Sequence, residues 1–125
     1  VMHTNVLGAM QVLPQVAPLV EAAQGRFAFI SSAMGQIAGV ASSYSWTYRV
    51  SKASLNMAVA SARQDYPQAV LVAMSPGWVQ TDMGGAGAPL TVGQSVGAMR
   101  AALARLTRAD SGAFVDMHGK RFEGW

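Results

Sequence analysis

Residues 69–74, Ala-Val-Leu-Val-Ala-Met, are the stretch that decides the fold of this chain. Six apolar residues in a row, with no polar residue between them, predict a strand that is buried on both faces. A strand with one face in water would alternate apolar and polar residues instead. Ser75-Pro76-Gly77 follows directly, and the Pro-Gly pair is a turn signal that ends the strand. The run therefore indicates a parallel sheet that is covered on both sides.

The segments on either side of this run alternate between helical and extended patterns. The predicted elements are, in order, a helix over residues 1–23, a strand over 26–30, a helix over 47–65, a strand over 69–74, a helix from 91 to about 107 and a strand over 112–117. Thr91 and Gln94 match a capping box, which supports the start of the third helix. Helices that alternate with continuous apolar strands predict an α/β fold with a parallel sheet.

The composition is unusual for a free-standing domain of 125 residues. Hydrophobic residues make up 51% of the chain and charged residues only 12%, about half of the usual quarter. A small domain has much surface to cover and should be richer in charge. The chain also begins with Val1, and residues 1–13 already have the pattern of a helix interior. We therefore expect residues 1–125 to be a single partial domain, truncated at its N-terminus.

Several classes of function are disfavoured. The net charge is +3, but the basic residues are scattered and no aromatic residues alternate with them, so we expect no nucleic-acid partner. The chain has no cysteine, and His3 and His118 lack metal-ligand spacing, so we expect no metal site. Pro14 and Pro18 interrupt the first apolar run before it could span a membrane, and no signal peptide is evident. The cytoplasm is the expected location.

Tyr48 and Lys52 lie four residues apart at the start of the second predicted helix, so they share one helix face. A free phenol is a poor proton donor or acceptor at neutral pH, but an ammonium beside it favours the phenolate. Such a pair can give a proton to a developing alkoxide or take one from an alcohol. Tyr44 is two helical turns from Lys52 and cannot share its face as closely. The spacing alone is common in surface helices, so the pair needs support from the surrounding sequence.

That support comes from four segments, which are Asn5–Gly8, Ile30–Gly35, Tyr48–Lys52 and Ser75–Gly85. In this order they resemble the short-chain dehydrogenase/reductase family and, within it, the C-factor-like and Sniffer-like carbonyl reductases. The last segment is the one that points to this subgroup. The resemblance covers essentially the whole chain and corresponds to the C-terminal half of a family member. It implies the C-terminal half of a Rossmann-type doubly wound parallel sheet, with ligands at the carboxyl ends of the strands.

The resemblance also implies a catalytic role for four residues. Tyr48 is expected to be the general acid/base, and Lys52 to stabilise its phenolate and to hold the nicotinamide ribose. Ser32 is expected to donate a hydrogen bond to the substrate carbonyl as charge develops on its oxygen. Asn5 is expected to keep a water molecule that connects Lys52 to solvent. The activity implied is hydride transfer to a ketone or aldehyde, or from an alcohol.

The cofactor implied is NADP(H) or NAD(H), with NADP(H) favoured by the subgroup. Its expected binding residues are Tyr48, Lys52, Pro76, Gly77, Val79 and Thr81, of which the last four shape the pocket for the carboxamide side of the ring. The expected partner is a small carbonyl or alcohol substrate, and a homo-oligomer is possible.

The chain departs from the family pattern in two ways. Tyr48 follows Ser32 by 16 positions. This spacing is about three positions longer than in much of the family, and it resembles the Sniffer-like subgroup, which has the same extra length. No Gly-rich dinucleotide fingerprint of the G-x-x-x-G-x-G kind precedes the four segments, and phosphate binding at a helix N-terminus depends on such a loop. The dinucleotide-binding half is therefore expected to be absent from these residues.

Two other functions remain open from the sequence. Gly93–Gly97 matches the G-x-S-x-G pattern of serine hydrolases around Ser95, with Asp110 or Asp116 and then His118 in hydrolase order. That motif requires a buried strand before the serine, and residues 86–90 do not have a strand pattern, so the hydrolase is disfavoured. The other alternative is a non-catalytic fragment or interaction module with a wide apolar face.

Overall fold

The computed structural model describes all 125 residues. Its main elements are helices α1 (Ala9–Ala22), α2 (Trp46–Ala62) and α3 (Val92–Arg105) and strands β1 (Arg26–Ile30), β2 (Val70–Met74) and β3 (Phe114–Val115). A π-helical turn at His3–Gly8 continues into α1, and 3-10 turns lie at Ala33–Gly35, Arg63–Asp65 and Arg108–Asp110. The order of helix and strand is the one that the sequence predicts.

The three strands form one parallel sheet in the order β1-β2-β3. β1 pairs with β2 from Arg26–Val70 to Ile30–Met74, and β2 pairs with β3 at Ala73–Phe114 and Met74–Val115. The α/β fold with a parallel sheet is therefore confirmed. β1 pairs with β2 alone, so its other edge is free in this chain.

β2 is buried along its whole length because the sheet is covered on both faces. Its alternate residues enter two different hydrophobic clusters. Leu71 and Ala73 pack beneath α1 and α2, in a cluster with Leu13, Ala17, Phe29, Leu55, Val59, Ala69 and Phe114. Val70, Val72 and Met74 pack against α3, in a cluster with Ala102, Leu106, Ala113 and Val115. This two-sided burial is the physical reason for the continuous apolar run at residues 69–74.

Two of the elements that differ from their predicted boundaries are shortened by a local turn. β3 has two residues rather than six, because Gly112 has a φ of +84° just before it and Asp116 begins a turn just after it. The Asp116 carboxylate accepts hydrogen bonds from the backbone N–H groups of His118 (2.8 Å) and Lys120 (3.0 Å). α2 ends at Ala62 and tightens into the 3-10 turn, three residues before the predicted limit. Local turn geometry therefore shortens both elements.

The carboxyl ends of the strands lie together at one edge of the sheet. Ser31 follows β1, and its backbone N–H donates to the carbonyl of Met74 at 2.8 Å. Ser75 follows β2, and its N–H donates to the carbonyl of Val115 at 2.9 Å. Ligands of open parallel sheets bind outside this edge. The loops that begin there carry most of the predicted site residues.

Candidate active site

Lys52 lies on the inner face of α2 and binds the end of β1. Its Nζ donates a hydrogen bond of 2.8 Å to the carbonyl oxygen of Ile30 and lies 5.7 Å from the centroid of the Tyr48 ring. That separation is within the range of a cation–π interaction. Burial lowers the pKa of Lys52 from its ordinary value of 10.5, because desolvation disfavours the ammonium. The predicted pair is therefore brought together in space, with its cation held against the strand end.

Gly35 lets the loop after β1 approach α2 closely. A Cβ atom at this position would lie 2.9 Å from both the carbonyl carbon and the Cβ of Lys52. Real Cβ atoms essentially never make contacts this short with backbone. Gly35 is buried in the 3-10 turn that packs on this helix. The absence of a side chain at Gly35 therefore sets how near the loop lies to Lys52.

Ser31 and Ser32 have different environments. Ser31 is buried, and its Oγ donates to Oδ1 of Asn56 at 2.6 Å. Ser32 is half-buried, and its Oγ accepts from the backbone N–H of Met34 at 3.1 Å, capping the 3-10 turn. The Ser32 hydroxyl hydrogen has no acceptor in the chain, so it is free to donate to a ligand. Of the two serines, Ser32 alone has the exposure that a substrate contact requires.

Asn5 lies in the π-helical turn and connects to α2 through a serine. Its Nδ2 donates to Oγ of Ser51 at 3.1 Å, and Oγ of Ser51 donates to the carbonyl oxygen of Tyr48 at 2.7 Å. Asn5 and Lys52 also line the same open cleft of about 320 Å³, together with apolar residues of α1 and β1. The cleft follows the free edge of β1. Asn5 is thus brought to the Tyr48–Lys52 pair by the packing of two elements, the π-helical turn and α2.

The loop after β2 holds the remaining predicted residues. The carbonyl oxygen of Pro76 accepts from Oγ of Ser95 at 2.7 Å, which ties the strand end to α3. Gly77 has a φ of +79°, and a Cβ there would lie 2.7 Å from Cδ1 of Leu90. Val79 pairs with Leu90 as an isolated bridge. Pro76 and Gly77 therefore lie directly at the site edge, and Val79 belongs to the folded loop beyond them.

Thr81 stabilises the same loop from within. Its backbone N–H donates to the carbonyl of Val79 at 2.8 Å, and its Oγ1 accepts from the N–H of Gly84 at 3.1 Å. The side chain is exposed. Thr81 closes a turn in this loop, and it makes no hydrogen bond with Tyr48 or Lys52.

The structure gives the hydrolase alternative no support. Ser95 is only 2% exposed, lies in the first turns of α3 and uses its hydroxyl to bind the carbonyl of Pro76. The Asp116 carboxylate binds backbone N–H groups. No strand ends just before Ser95, so the strained strand-to-helix turn of a nucleophile is absent.

Two residues of this region, Ser51 and Asn56, are not identified by sequence reasoning. Both are buried and polar, and they bind the carbonyl of Tyr48 and the side chain of Ser31. The available signal was a polar residue on the inward side of an apolar helix, since a buried polar group needs a partner.

No group of three His, Cys, Asp or Glu residues is arranged to hold a metal ion. None of the helices combines the length and the apolar character that crossing a membrane requires.

Comparison with known proteins gives consistent matches. A family model described as short chain dehydrogenase matches residues 1–88. The protein named C-signal from Myxococcus xanthus is 42% identical over 118 residues, covering 92% of this chain and 71% of that protein. The carbonyl reductase Sniffer of D. melanogaster superposes with a TM-score of 0.91 at 33% identity, covering 99% of this chain. An NADPH-bound carbonyl reductase from chicken fatty liver superposes with a TM-score of 0.82 at 34% identity. The chain spans 55% and 56% of these two structures.

Proposed function

This chain belongs to the short-chain dehydrogenase family, and we propose that it is the catalytic half of a nicotinamide-dependent carbonyl reductase. The substrate would be a small ketone or aldehyde, or an alcohol in the reverse direction. NADP(H) is the preferred cofactor, since one similar structure is a carbonyl reductase with bound NADPH. The dinucleotide-binding half would lie outside residues 1–125, because the chain spans about 55% of the carbonyl reductase structures that it matches.

The observation that carries the proposal is the position of Lys52. Its ammonium is buried and hydrogen-bonded to the Ile30 carbonyl, 5.7 Å from the ring of Tyr48 and beside an open cleft. Burying a cation is costly, and a lysine held at such a cost beside a phenol is typical of a site that moves a proton. Tyr48 would give its phenolic proton to the substrate oxygen during reduction, and Lys52 would stabilise the phenolate that remains.

Ser32 and Asn5 would complete the site. The Ser32 hydroxyl would donate to the same substrate oxygen, stabilising negative charge as it develops there. Asn5 would hold the water molecule that connects Lys52 to solvent, because it lines the cleft with Lys52 and contacts α2 through Ser51. A water molecule held in this cleft would reprotonate Tyr48 through Lys52. The roles of these four residues follow the family pattern, residue by residue.

The residues present fit one part of the cofactor. Lys52 uses one of its three N–H donors on the Ile30 carbonyl, which leaves two for the hydroxyl groups of a ribose. Pro76 and Gly77 would form the wall beside the carboxamide, and Val79 and Thr81 would hold that wall in place. When bound, the nicotinamide supplies the hydride that reaches the carbonyl carbon. No Gly-rich phosphate loop occurs in these residues, so the adenosine and pyrophosphate would bind to the other half.

A non-catalytic interaction module is the second candidate, favoured by the amount of exposed apolar surface. Large apolar side chains with at least 62% of their surface exposed include Leu19, Ile37, Trp46, Met57, Trp78 and Met83. Exposed apolar surface of this kind commonly marks a protein interface. We infer that residues 1–125 alone bind NADPH weakly and self-associate. Calorimetry that finds a monomer binding NADPH at micromolar concentration would contradict this inference.

The proposal is tested by Tyr48→Phe, which removes the transferable proton and keeps the ring. The test uses a completed protein, in which a dinucleotide-binding half precedes residues 1–125, either the natural one or that of a carbonyl reductase relative. We expect kcat for NADPH-dependent carbonyl reduction to fall at least ~10²-fold, the scale of acid–base catalysis, with NADPH affinity largely kept.

Tyr44→Phe is the matched control, because Tyr44 is 75% exposed and lies outside the site. We expect it to leave kcat unchanged. Near-normal turnover in Tyr48→Phe, or an equal loss in Tyr44→Phe, would contradict the role proposed for Tyr48.

A further inference from the structure

Asn56 is an unusual polar residue on the buried side of α2. It is 2% exposed, in a helix whose neighbouring inward residues Leu55 and Val59 are apolar. Its Oδ1 accepts from Ser31, but no protein acceptor lies within hydrogen-bond distance of its Nδ2. A buried amide whose two N–H donors are both unpaired disfavours folding, and asparagine is also a weak helix former. A residue that violates local rules in this way is expected to serve the function of the site.

The partner of Asn56 connects it to the catalytic face. Asn56 follows Lys52 by one helical turn, as Lys52 follows Tyr48, so the three side chains share one face of α2. Lys52 binds the carbonyl of Ile30, and Asn56 binds the side chain of the next residue, Ser31. The backbone N–H of Ser31 in turn binds β2 at Met74. Two successive turns of α2 therefore hold two successive residues at the end of β1.

Ser32 is the next residue along this strand end, so its position depends on the same two contacts. If the bond between Ser31 and Asn56 were lost, the Lys52–Ile30 bond would be the remaining side-chain hydrogen bond from α2 to residues 30–32. The helix could then shift along the strand end. A small displacement of this kind separates reacting groups and slows catalysis strongly.

We propose that Asn56 is a positioning residue, which through Ser31 holds the end of β1 in register with Tyr48 and Lys52. This inference rests on the proposed function, because it concerns the geometry of the same site. Asn56 touches neither substrate nor cofactor and acts through Ser31. The titratable groups on this face of α2 are Tyr48 and Lys52, and the residues that line the cleft around Lys52 include no other charged side chain.

The decisive variant is the double substitution Ser31→Ala with Asn56→Leu, made in the completed protein. It removes both hydrogen-bonding partners together, so no buried donor or acceptor of this pair is left unpaired, and we expect the melting temperature to be kept or raised. We expect kcat to fall about 10-fold or more and the pH profile of kcat to shift, with KM for NADPH nearly unchanged. Asn56→Leu alone is expected to produce the same loss, since the two residues act as one unit.

Val59→Ala is the matched control. It truncates a buried apolar side chain of the same helix, 1% exposed and one turn beyond Leu55, without touching the strand end. We expect a lower melting temperature and an unchanged pH profile. A stable double variant with wild-type kcat and pH profile would overturn the proposal, as would a Val59→Ala variant that shifts the profile equally.

A second measurement separates this inference from the proposed function. Lysine labelled with ¹³C at Cε reports the titration of Lys52, and its signal is identified by its absence from Lys52→Met. In the double variant α2 is free to shift from the strand end, which hydrates the Lys52 ammonium, so the pKa of Lys52 should move up towards its ordinary value. This readout needs no turnover. An unchanged titration of Lys52 would overturn the positioning role even if no carbonyl substrate is ever found.

Discussion

The two sides of α2 each depart from the pattern of an ordinary amphipathic helix. Its inward side carries Lys52 and Asn56, both buried, whereas its outward side carries Val50 and Met57, which are 46% and 66% exposed. An ordinary surface helix places its apolar residues inward and its polar ones in water. Polar groups that are buried at a cost indicate chemistry, and apolar groups left in water indicate a surface that awaits a partner. Both departures fit the function that we propose for this helix.

The largest effect is expected from removing the buried charge on the inward side. Lys52→Met in the completed protein should lower kcat/KM for carbonyl reduction at least ~10²-fold, because the proposed proton transfer and ribose binding both use the ammonium. The pH profile of the reaction should change as well, since the Tyr48 phenolate loses its neighbouring cation. Lys120→Met is the control. Unchanged kinetics in Lys52→Met would make Lys52 an ordinary core residue.

A second effect is expected where the loop after β1 meets the inward side. Gly35→Ala places a methyl group 2.9 Å from the backbone of Lys52, so the loop or the helix must move. We expect a loss of about 1–3 kcal/mol in the free energy of unfolding, measured with urea, together with reduced turnover. Gly87→Ala is a suitable control, because nothing lies within 4 Å of a Cβ at that glycine. Equal stabilities of the two variants would show that the close approach is not a constraint.

The buried ammonium should also leave a signature in the pH dependence of stability. Burial lowers the pKa of Lys52, so between that lowered value and 10.5 the unfolded chain binds more protons than the native one. The free energy of unfolding contributed by this group therefore rises with pH across that window. Lys52→Met should lack the rise, which urea titrations at neutral pH and at pH ~10 can measure. The same slope in both proteins would mean that Lys52 titrates normally.

The smallest effect on stability is expected from the outward side. Met57→Lys replaces an exposed apolar side chain, so the free energy of unfolding should change by no more than about 0.5 kcal/mol. Self-association of residues 1–125 should nevertheless weaken, which sedimentation velocity can measure. Gln64→Lys is the charge-matched control, because Gln64 is exposed and lies in the 3-10 turn just beyond the helix. Equal weakening by both variants would assign the effect to net charge rather than to this apolar surface.

Local patterns in the sequence determined much of the fold. The strand over residues 26–30 has the predicted bounds, and the strand predicted over 69–74 forms Val70–Met74. The capping box at Thr91 and Gln94 also forms, with hydrogen bonds of 2.9 and 3.1 Å. These features depend on residues that are close in sequence, so periodicity and capping chemistry suffice to find them. The four-residue spacing of Tyr48 and Lys52 belongs to the same class.

Only the tertiary structure decided which groups these residues meet. The acceptor for Lys52 is a carbonyl 22 residues away, the partner of Asn56 lies 25 residues away, and Asn5 reaches a serine 46 residues away. The different environments of Ser31 and Ser32, and the need for glycine at position 35, likewise follow from how α2 packs on the end of β1. Local periodicity carries no information on such pairings, because they arise when separate elements are packed together and each buried polar group must find a partner.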